Sequence, residues 1–337
     1  MQDTSSGHTV AVVGGAGYIG SHTAMKLAEA GRNIVVVDNL STGHREAARF
    51  GQFVKADIAD TAALHDIFTQ FRVDAVFHFA ASAYVGESVV DPGKYYQNNV
   101  AGSLSLLEAM RSAGVRRMVF SSTCSLYGET EDDLLREDHA VNPMNPYART
   151  KLCIEWAMRD YAEAYGLNGV CLRYFNAAGA APDASLGERH EPETHLIPLV
   201  LQAALDPTRV IRMFGTDYPT PDGTCIRDYI HVCDLADAHI LALQRLEAGL
   251  PGGVFNLGNG KGHSVREVVD CARAVTGKPI TVVEQPRRAG DPPKLVGSAQ
   301  KARAELGWRP IFSDLRDIIE TAWRWEQKLD LLRRHPG

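Results

Sequence analysis

The run Val10-Ala11-Val12-Val13, followed by Gly14-Gly15-Ala16-Gly17-Tyr18-Ile19-Gly20, constrains this chain more than any other stretch. Four small or β-branched apolar residues read as a buried strand, the glycines build a turn, and a helix opens near Tyr18. Gly14 and Gly17 let the backbone turn tightly and approach a ligand, and Gly20 lets the helix lie close to its strand. The N–H groups that start such a helix can face a pyrophosphate. The next strand, residues 34–37, delivers Asp38-Asn39 to the same sheet edge. An acid there accepts both hydroxyls of an adenosine ribose and repels a 2′-phosphate, so Asp38 favours NAD over NADP. The competing use for Asp38 is as a turn or cap residue.

Strand and helix patterns then alternate. Residues 53–56 form a short strand ending at Asp57-Ile58, where the acid can accept an adenine amine and the isoleucine can lie on the ring. Residues 61–70 are helical. Residues 74–81 (DAVFHFAA) read as a buried strand, and Phe79, Ala80 and Ala81 end it where backbone passes a pyrophosphate or nicotinamide ribose. His78, between two phenylalanines, reads as a satisfied core histidine. A helix over 94–113 carries Asn98-Asn99, and Asn98 is placed on the cofactor side of the sheet. The strand over 117–122 ends in Ser121-Ser122-Thr123. A polar crossover, 128–145, leads to a helix opened by Pro146-Tyr147 and running to Tyr165, then a strand over 168–174. These units predict an α/β fold, a Rossmann-type doubly wound parallel sheet covered by helices on both faces. Past residue 178 the alternation breaks. The expected division is 1–178 for the NAD-binding domain, with 1–9 as a loose leader, and 179–337 for a smaller mixed α/β substrate lobe, some of whose segments return to the first sheet.

Composition closes off several functions. A chain of 337 residues with 45% hydrophobic and 23% charged content can bury a large core. A formal charge of −6 offers no broad attraction to nucleic acid or anionic lipid, so an anionic ligand needs local Arg or Lys. The six cysteines form no CxxC pair and read as reduced thiols of a cytoplasmic protein. No run approaches ~18 uninterrupted apolar residues, and the first nine are too short and polar for a secretory signal. His190 and His195 with Glu188, Glu191 and Glu193 offer metal-ligand types, but without tight metal spacing. No metal is expected there.

Tyr147 and Lys151 stand four apart and share one helix face. An ammonium near a phenol stabilises the phenolate, lowering its pKa from ~10 toward neutrality. Tyr147 is therefore a candidate general base for an alcohol, with Lys151 tuning it and Thr123 donating to the same substrate oxygen. Taken in isolation, such a pair could equally be a surface pair.

At these residues the chain resembles the extended short-chain dehydrogenase/reductase family, and within it the branch that epimerises UDP-glucose at carbon 4. The likeness runs through Val85-Gly86-Glu87-Ser88, Tyr95-Tyr96 with Asn98-Asn99, Tyr127-Gly128, the Tyr147/Lys151 pair and Arg173-Tyr174-Phe175-Asn176. Its most specific stretch is 215–232 (GTDYPTPDGTCIRDYIHV), continued by residues 234–239 and Asn256-Leu257-Gly258. The resemblance implies a cycle in which Tyr147 takes the proton of the sugar 4-hydroxyl while hydride leaves carbon 4 for tightly held NAD. The 4-keto sugar turns over, and both are returned to its other face. It adds Ser121 and Tyr174 to the cofactor side. On the substrate side it implies Arg227 and Arg288 on the diphosphate, Asn176 as a phosphate-side donor, Phe214 near uracil and Asp291 on the uridine ribose, with Leu196 nearby. It also implies a homodimer through helices over 94–110 and 156–165.

Three departures from the family pattern matter. Thr123 stands where many members have serine, and Ala83 where some have a lysine for the cofactor phosphate. Leu295 replaces the tyrosine of the bacterial form restricted to unmodified hexoses, which leaves room for an N-acetyl group. Cys124-Ser125 occupies the place of the acids that dehydratases of this fold carry, which argues against dehydration. A UDP-pentose 4-epimerase and a non-catalytic NAD-binding regulatory protein are the alternatives.

Overall fold

The computed structural model describes residues 9–129, 134–288 and 292–334. Strand β1 (Thr9–Val13) runs through the glycine turn into α1 (Tyr18–Glu29), and β2 (Asn33–Asp38) follows. Next come β3 (Gln52–Lys55), α2 (Thr61–Gln70) and β4 (Val73–His78). Short helices α3 (Val85–Val90) and α4 (Pro92–Tyr95) lead through a π-helical turn, Tyr96–Ala101, into α5 (Gly102–Ala113). Strand β5 (Arg117–Ser121), α6 (Pro146–Tyr165) and β6 (Asn168–Tyr174) complete the alternation.

Local chemistry sets these boundaries. Asp60 caps α2 by accepting from Ala63 N at 3.0 Å, and Asn145 caps α6 by accepting from Ala148 N at 2.9 Å. Gly166, at φ +70°, stops α6 in the left-handed conformation that suits glycine. Alternate residues of each strand serve opposite faces. Val10, Val12, Val36, Phe77 and Leu172 pack in one core cluster. Ala11, Val13, Val35, Val37 and Val76 pack in another, under α2, α5 and α6.

The second half begins with β7 (Asn176–Ala178), α7 (Leu196–Leu205) and β8 (Ile211–Phe214). Then come β9 (Ile226–Arg227), β10 (Tyr229–His231), α8 (Val232–Glu247) and β11 (Gly253–Leu257). The remainder is β12 (His263–Ser264), α9 (Val265–Thr276), β13 (Val282–Gln285), β14 (Lys294–Leu295) and α10 (Leu315–Arg334).

Seven strands of the described residues form one parallel sheet in the order β11-β6-β5-β4-β1-β2-β3. The order reverses between β1 and β4, so a crevice opens there at the carboxyl ends of the strands. β11, from the second half, pairs with β6 as an edge strand, and α8 joins the same core cluster as α1. The other strands of the second half form small sheets, β7 with β10, β8 with β13, and β12-β9-β14, and α7, α9 and α10 enclose a separate core. Among the described residues no helix is long and apolar enough to cross a membrane.

Several boundaries differ from the sequence reading. Thr9 is no leader residue: it opens β1 and pairs with Asn33 and Val73, while residues 1–8 lie outside the described set. Strand β4 stops at His78, so 79–81 form a loop. The expected single helix over 94–113 is broken by the π-helical turn, whose extra width rotates the following residues relative to a regular helix.

Candidate active site

The crevice is built from the turn outward. Gly14 has φ +79°, and a Cβ on it would stand 2.4 Å from Ala80 N, so no larger residue fits. A Cβ on Gly20 would fall 2.3 Å from Gly14 O, which holds α1 against the turn. Gly17 is the N-cap of α1 and offers no side chain; the first turn of α1 contains no acid. The positive helix end is thus left to an outside anion, which fits a dinucleotide pyrophosphate. Ile19 packs on the core, and Tyr18 donates its hydroxyl to Gly179 O at 2.6 Å, so what these two present to a ligand is backbone.

Asp38, at the end of β2, accepts from Ala16 N at 2.9 Å and Leu40 N at 2.8 Å. Those bonds aim the carboxylate at the turn, and burial raises its pKa. Asn39 donates to Asp57 at 2.8 Å, which gathers Asp38, Asn39 and Asp57 at one edge. Ile58 departs from its expected place on the adenine: it is 5% exposed and wedged against Gly102 in the core. Phe79 rests against His239, ring centroids 4.7 Å apart, and half-buried Ala80 and Ala81 continue the floor. His78 is a core histidine as expected, bonded to Ser103 at 2.7 Å, with burial pulling its pKa to about 3.

Beside this floor α6 presents Tyr147 and Lys151. Lys151 is 3% exposed; its Nζ donates to Ser121 O at 2.8 Å and lies 4.8 Å from the Phe120 ring and 5.9 Å from the Tyr147 ring. Burial pulls the Lys151 pKa down to about 7, with Glu155 partly opposing. Burial pushes the Tyr147 phenol up to about 12, and a hydrogen bond to Thr123 offsets this only in part. In the chain alone burial of the ring dominates the phenol, and the Lys151 ammonium is directed at the end of β5. Thr123 is 5% exposed and N-caps the short turn after β5, accepting from Ser125 N at 3.2 Å. Ser121 Oγ and Tyr174 OH share a short hydrogen bond behind it.

Asn98 is half-buried and donates to Asn99 Oδ1 at 2.9 Å. Asn99, fully buried, is the residue that ties the site. It accepts from Ser82 N at 2.8 Å and donates to Ser82 O at 3.0 Å and Thr150 Oγ1 at 3.1 Å, joining the loop after β4 to α6. Sequence reading also missed a buried network under Thr123. Ser122 donates to Glu155 at 2.5 Å, Glu155 takes Arg173 in a bidentate pair at 2.9 and 2.5 Å, and Arg173 donates to Tyr127 OH at 3.0 Å. Only the spacing of Glu155 and Arg173 on neighbouring elements could have hinted at it.

The second half supplies the facing wall. Strand β14 pairs with β9, setting Leu295 beside Arg227, and Leu295 packs with Cys124, Tyr127 and Leu135, next to Thr123. Arg227 donates to Ile226 O at 2.8 Å, and Asn176 Nδ2 donates to Asp228 O at 3.0 Å, one residue on. Asp228 itself is fully buried, accepts from Asn259 N and Gly297 N, and has its pKa raised by burial to about 7. Arg288 lies 3.8 Å from the centre of the Phe214 ring at the end of β8. Leu196 opens α7, half-buried against the second core, and Asp291 lies outside the described residues.

One cluster departs from its sequence reading. Glu188, His190, Glu193 and His195, between β7 and α7, bring one ligand atom each to within 4.8 Å of one another. Their spacing is tight in space although loose along the chain. Glu191 stands apart, 3.5 Å from Arg189.

A doubly wound sheet with a glycine turn at its switch point, and a Tyr-x-x-x-Lys helix beside it, defines the extended short-chain dehydrogenase/reductase class. The chain belongs to the NAD dependent epimerase/dehydratase family, whose model matches residues 10–258. It is 50% identical over 320 residues to UDP-glucose 4-epimerase of Lacticaseibacillus casei, covering 95% of this chain and 97% of that one. The crystal structure of UDP-glucose 4-epimerase from Brucella ovis in complex with NAD superposes with a TM-score of 0.93 at 52% identity, covering 95% and 98% of the two chains. The UDP-Glc/GlcNAc 4-epimerase of Campylobacter jejuni superposes with a TM-score of 0.84 at 40% identity, covering 96% and 100%.

Proposed function

We propose that this chain interconverts UDP-glucose and UDP-galactose by inverting carbon 4, with NAD as its resident cofactor. The observation that carries the reading is the convergence of Thr123, Tyr147 and Lys151, in a fold whose first helix starts without a capping side chain and so suits a pyrophosphate. NAD supplies a hydride acceptor at carbon 4 that later acts as donor, and its oxidised ring adds positive charge beside the phenol. Tyr147 takes the proton from the 4-hydroxyl, holds it on its phenolic oxygen while the sugar is a ketone, and gives it back after the sugar has turned. Thr123 donates to the same substrate oxygen and steadies the phenolate. Lys151, buried on Ser121 O, braces the strand end that carries Thr123.

Arg227 and Asn176 hold the diphosphate, and the Phe214–Arg288 pair takes uracil and a further phosphate contact; guanidinium forks suit that task in a net negative chain. Asp291 takes the uridine ribose. Besides Tyr147, the sugar faces Thr123 and Leu295, neither of which clamps it, so it can turn while the nucleotide stays held. Leu295, a smaller side chain than tyrosine at this position, supports a second substrate pair, the N-acetylated UDP-hexoses.

The assembly is a cytoplasmic homodimer. Exposed Tyr96, Leu104 and Trp156 on the π-helical turn, α5 and α6 support that face as the interface.

The test is Tyr147→Phe in the NAD-loaded protein. Epimerisation should fall about 10²–10⁴-fold, the range for losing a general acid–base group, with cofactor content unchanged. Turnover at the parent rate would overturn the assignment.

A further inference from the structure

The loop between β7 and α7 holds a cluster that the epimerisation chemistry does not use. His195 Nδ1 lies 2.9 Å from Glu188 Oε1 and 2.9 Å from Glu193 Oε1. His190 Nδ1 lies 3.2 Å from Glu188 Oε1 and 3.7 Å from Glu193 Oε2. Both carboxylate side chains are 7% exposed. His190 Nδ1 is buried and, among the described residues, has no hydrogen-bond partner, although two carboxylates stand close to it. Glu326 on α10 adds a buried carboxylate, 2% exposed, with Oε2 likewise unbonded among the described residues.

His195 Nδ1 is hydrogen-bonded to Glu193 Oε1, which also accepts from Thr194 N at 2.8 Å and His195 N at 2.9 Å, and both Nδ1 atoms face the same two acids. For a tetrahedral zinc ion with bonds of about 2.0–2.1 Å, neighbouring ligand atoms stand about 3.3 Å apart. The four nitrogen–oxygen distances lie on either side of that value, with Glu193 entering through a different oxygen for each histidine, and because the ligand atoms spread to 4.8 Å the side chains would draw together around an ion. We propose that Glu188, His190, Glu193 and His195 bind one zinc ion in a closed, four-ligand structural site. Two imidazole nitrogens and two carboxylates suit zinc in ligand type, and two acids balance its charge. With every position filled by protein, the ion has no place for substrate or water, which sets it apart from the chemistry at Tyr147.

The site's surroundings say what the ion holds. Trp325 on α10 donates to Glu188 O at 2.7 Å, and Tyr84 donates to Pro192 O at 3.3 Å. Arg189 pairs with Glu46 at 2.9 Å, and its carbonyl lies 3.3 Å from His44 Nε2. The ligand loop thus bridges the sheet domain and α10, and it runs straight into α7 at Leu196. Zinc would staple the two halves on the substrate side of the crevice.

The experiment uses the full chain, NAD-loaded and without a polyhistidine tag. It is given one equivalent of zinc or cobalt, gel-filtered and analysed for metal. One ion per chain is expected, together with the visible absorption of four-coordinate cobalt, and chelation should lower the unfolding temperature until zinc is restored. His190→Ala and Glu193→Gln should each weaken binding by at least about 100-fold, beyond the loss of an outer-shell partner. Should either variant fail to fold, the cobalt titration of the parent chain decides. No retained metal, or an unfolding temperature indifferent to chelator, would mean imidazolium–carboxylate pairs only and would overturn the proposal.

Discussion

At the scale of single residues, the site is governed by what burial does to two groups four positions apart. Lys151 has its pKa pulled from 10.5 to about 7 because its ammonium is taken out of water, while the Tyr147 phenol is pushed up to about 12. Burial thus keeps the Tyr147 phenol protonated in the free chain, and positive charge brought near it favours its phenolate. The Lys151 shift is also a stability statement. Below pH 7 the folded chain buries a charged ammonium; between about 7 and 10.5 the unfolded chain binds the extra proton, so stability rises with pH across that window. In protein freed of cofactor, Lys151→Met should unfold at a higher temperature than the parent at pH 6, with the gap closing toward pH 10. A gap constant with pH in thermal scans would contradict this. Tyr147, Lys151 and Thr123 were readable as a group because helix spacing and a strand end are local properties. The sign of the phenol shift was not, since it depends on how deeply the fold buries the ring.

Among elements, α6 shows both what local chemistry specifies and what it leaves open. Asn145 as cap, Pro146 in the first turn and Gly166 at the end mark its length in the sequence. Its fastening to the sheet is not marked. Glu155 on α6 and Arg173 on β6 form a bidentate pair, each side chain 6% exposed. Removing one partner strands the other charge in the core, so Glu155→Gln should cost about 3 kcal/mol in a denaturant titration. A loss under 1 kcal/mol would show that Arg173 finds other partners. The π-helical turn Tyr96–Ala101 is the complementary case. Adjacent asparagines cannot reveal which of them faces inward, because a regular helix and a widened turn point them differently; packing against α6 and the Ser82 loop selected Asn99.

For the whole molecule, the sugar's surroundings exist only because the two halves meet. Leu295, from β14, packs with Cys124 and Tyr127 from the turn after β5, so its size sets the room beside Thr123. Leu295→Tyr should abolish turnover of UDP-N-acetylglucosamine while keeping that of UDP-glucose. Steady-state rates on both sugars check this, and an N-acetyl activity surviving the tyrosine would place that pocket elsewhere. The sequence by itself determined the doubly wound sheet, the glycine turn, the acid Asp38 at the end of the second strand and the Tyr147 helix. Each of these rests on residues within one turn or one strand of each other, where backbone sterics and periodicity decide. Only the tertiary structure decided that β11 closes the sheet from the far half, that Ile58 is core, that Asn99 is the tie, and that Glu188, His190, Glu193 and His195 gather in one cluster. Those outcomes depend on burial and on partners far away in the chain, which local pattern does not contain.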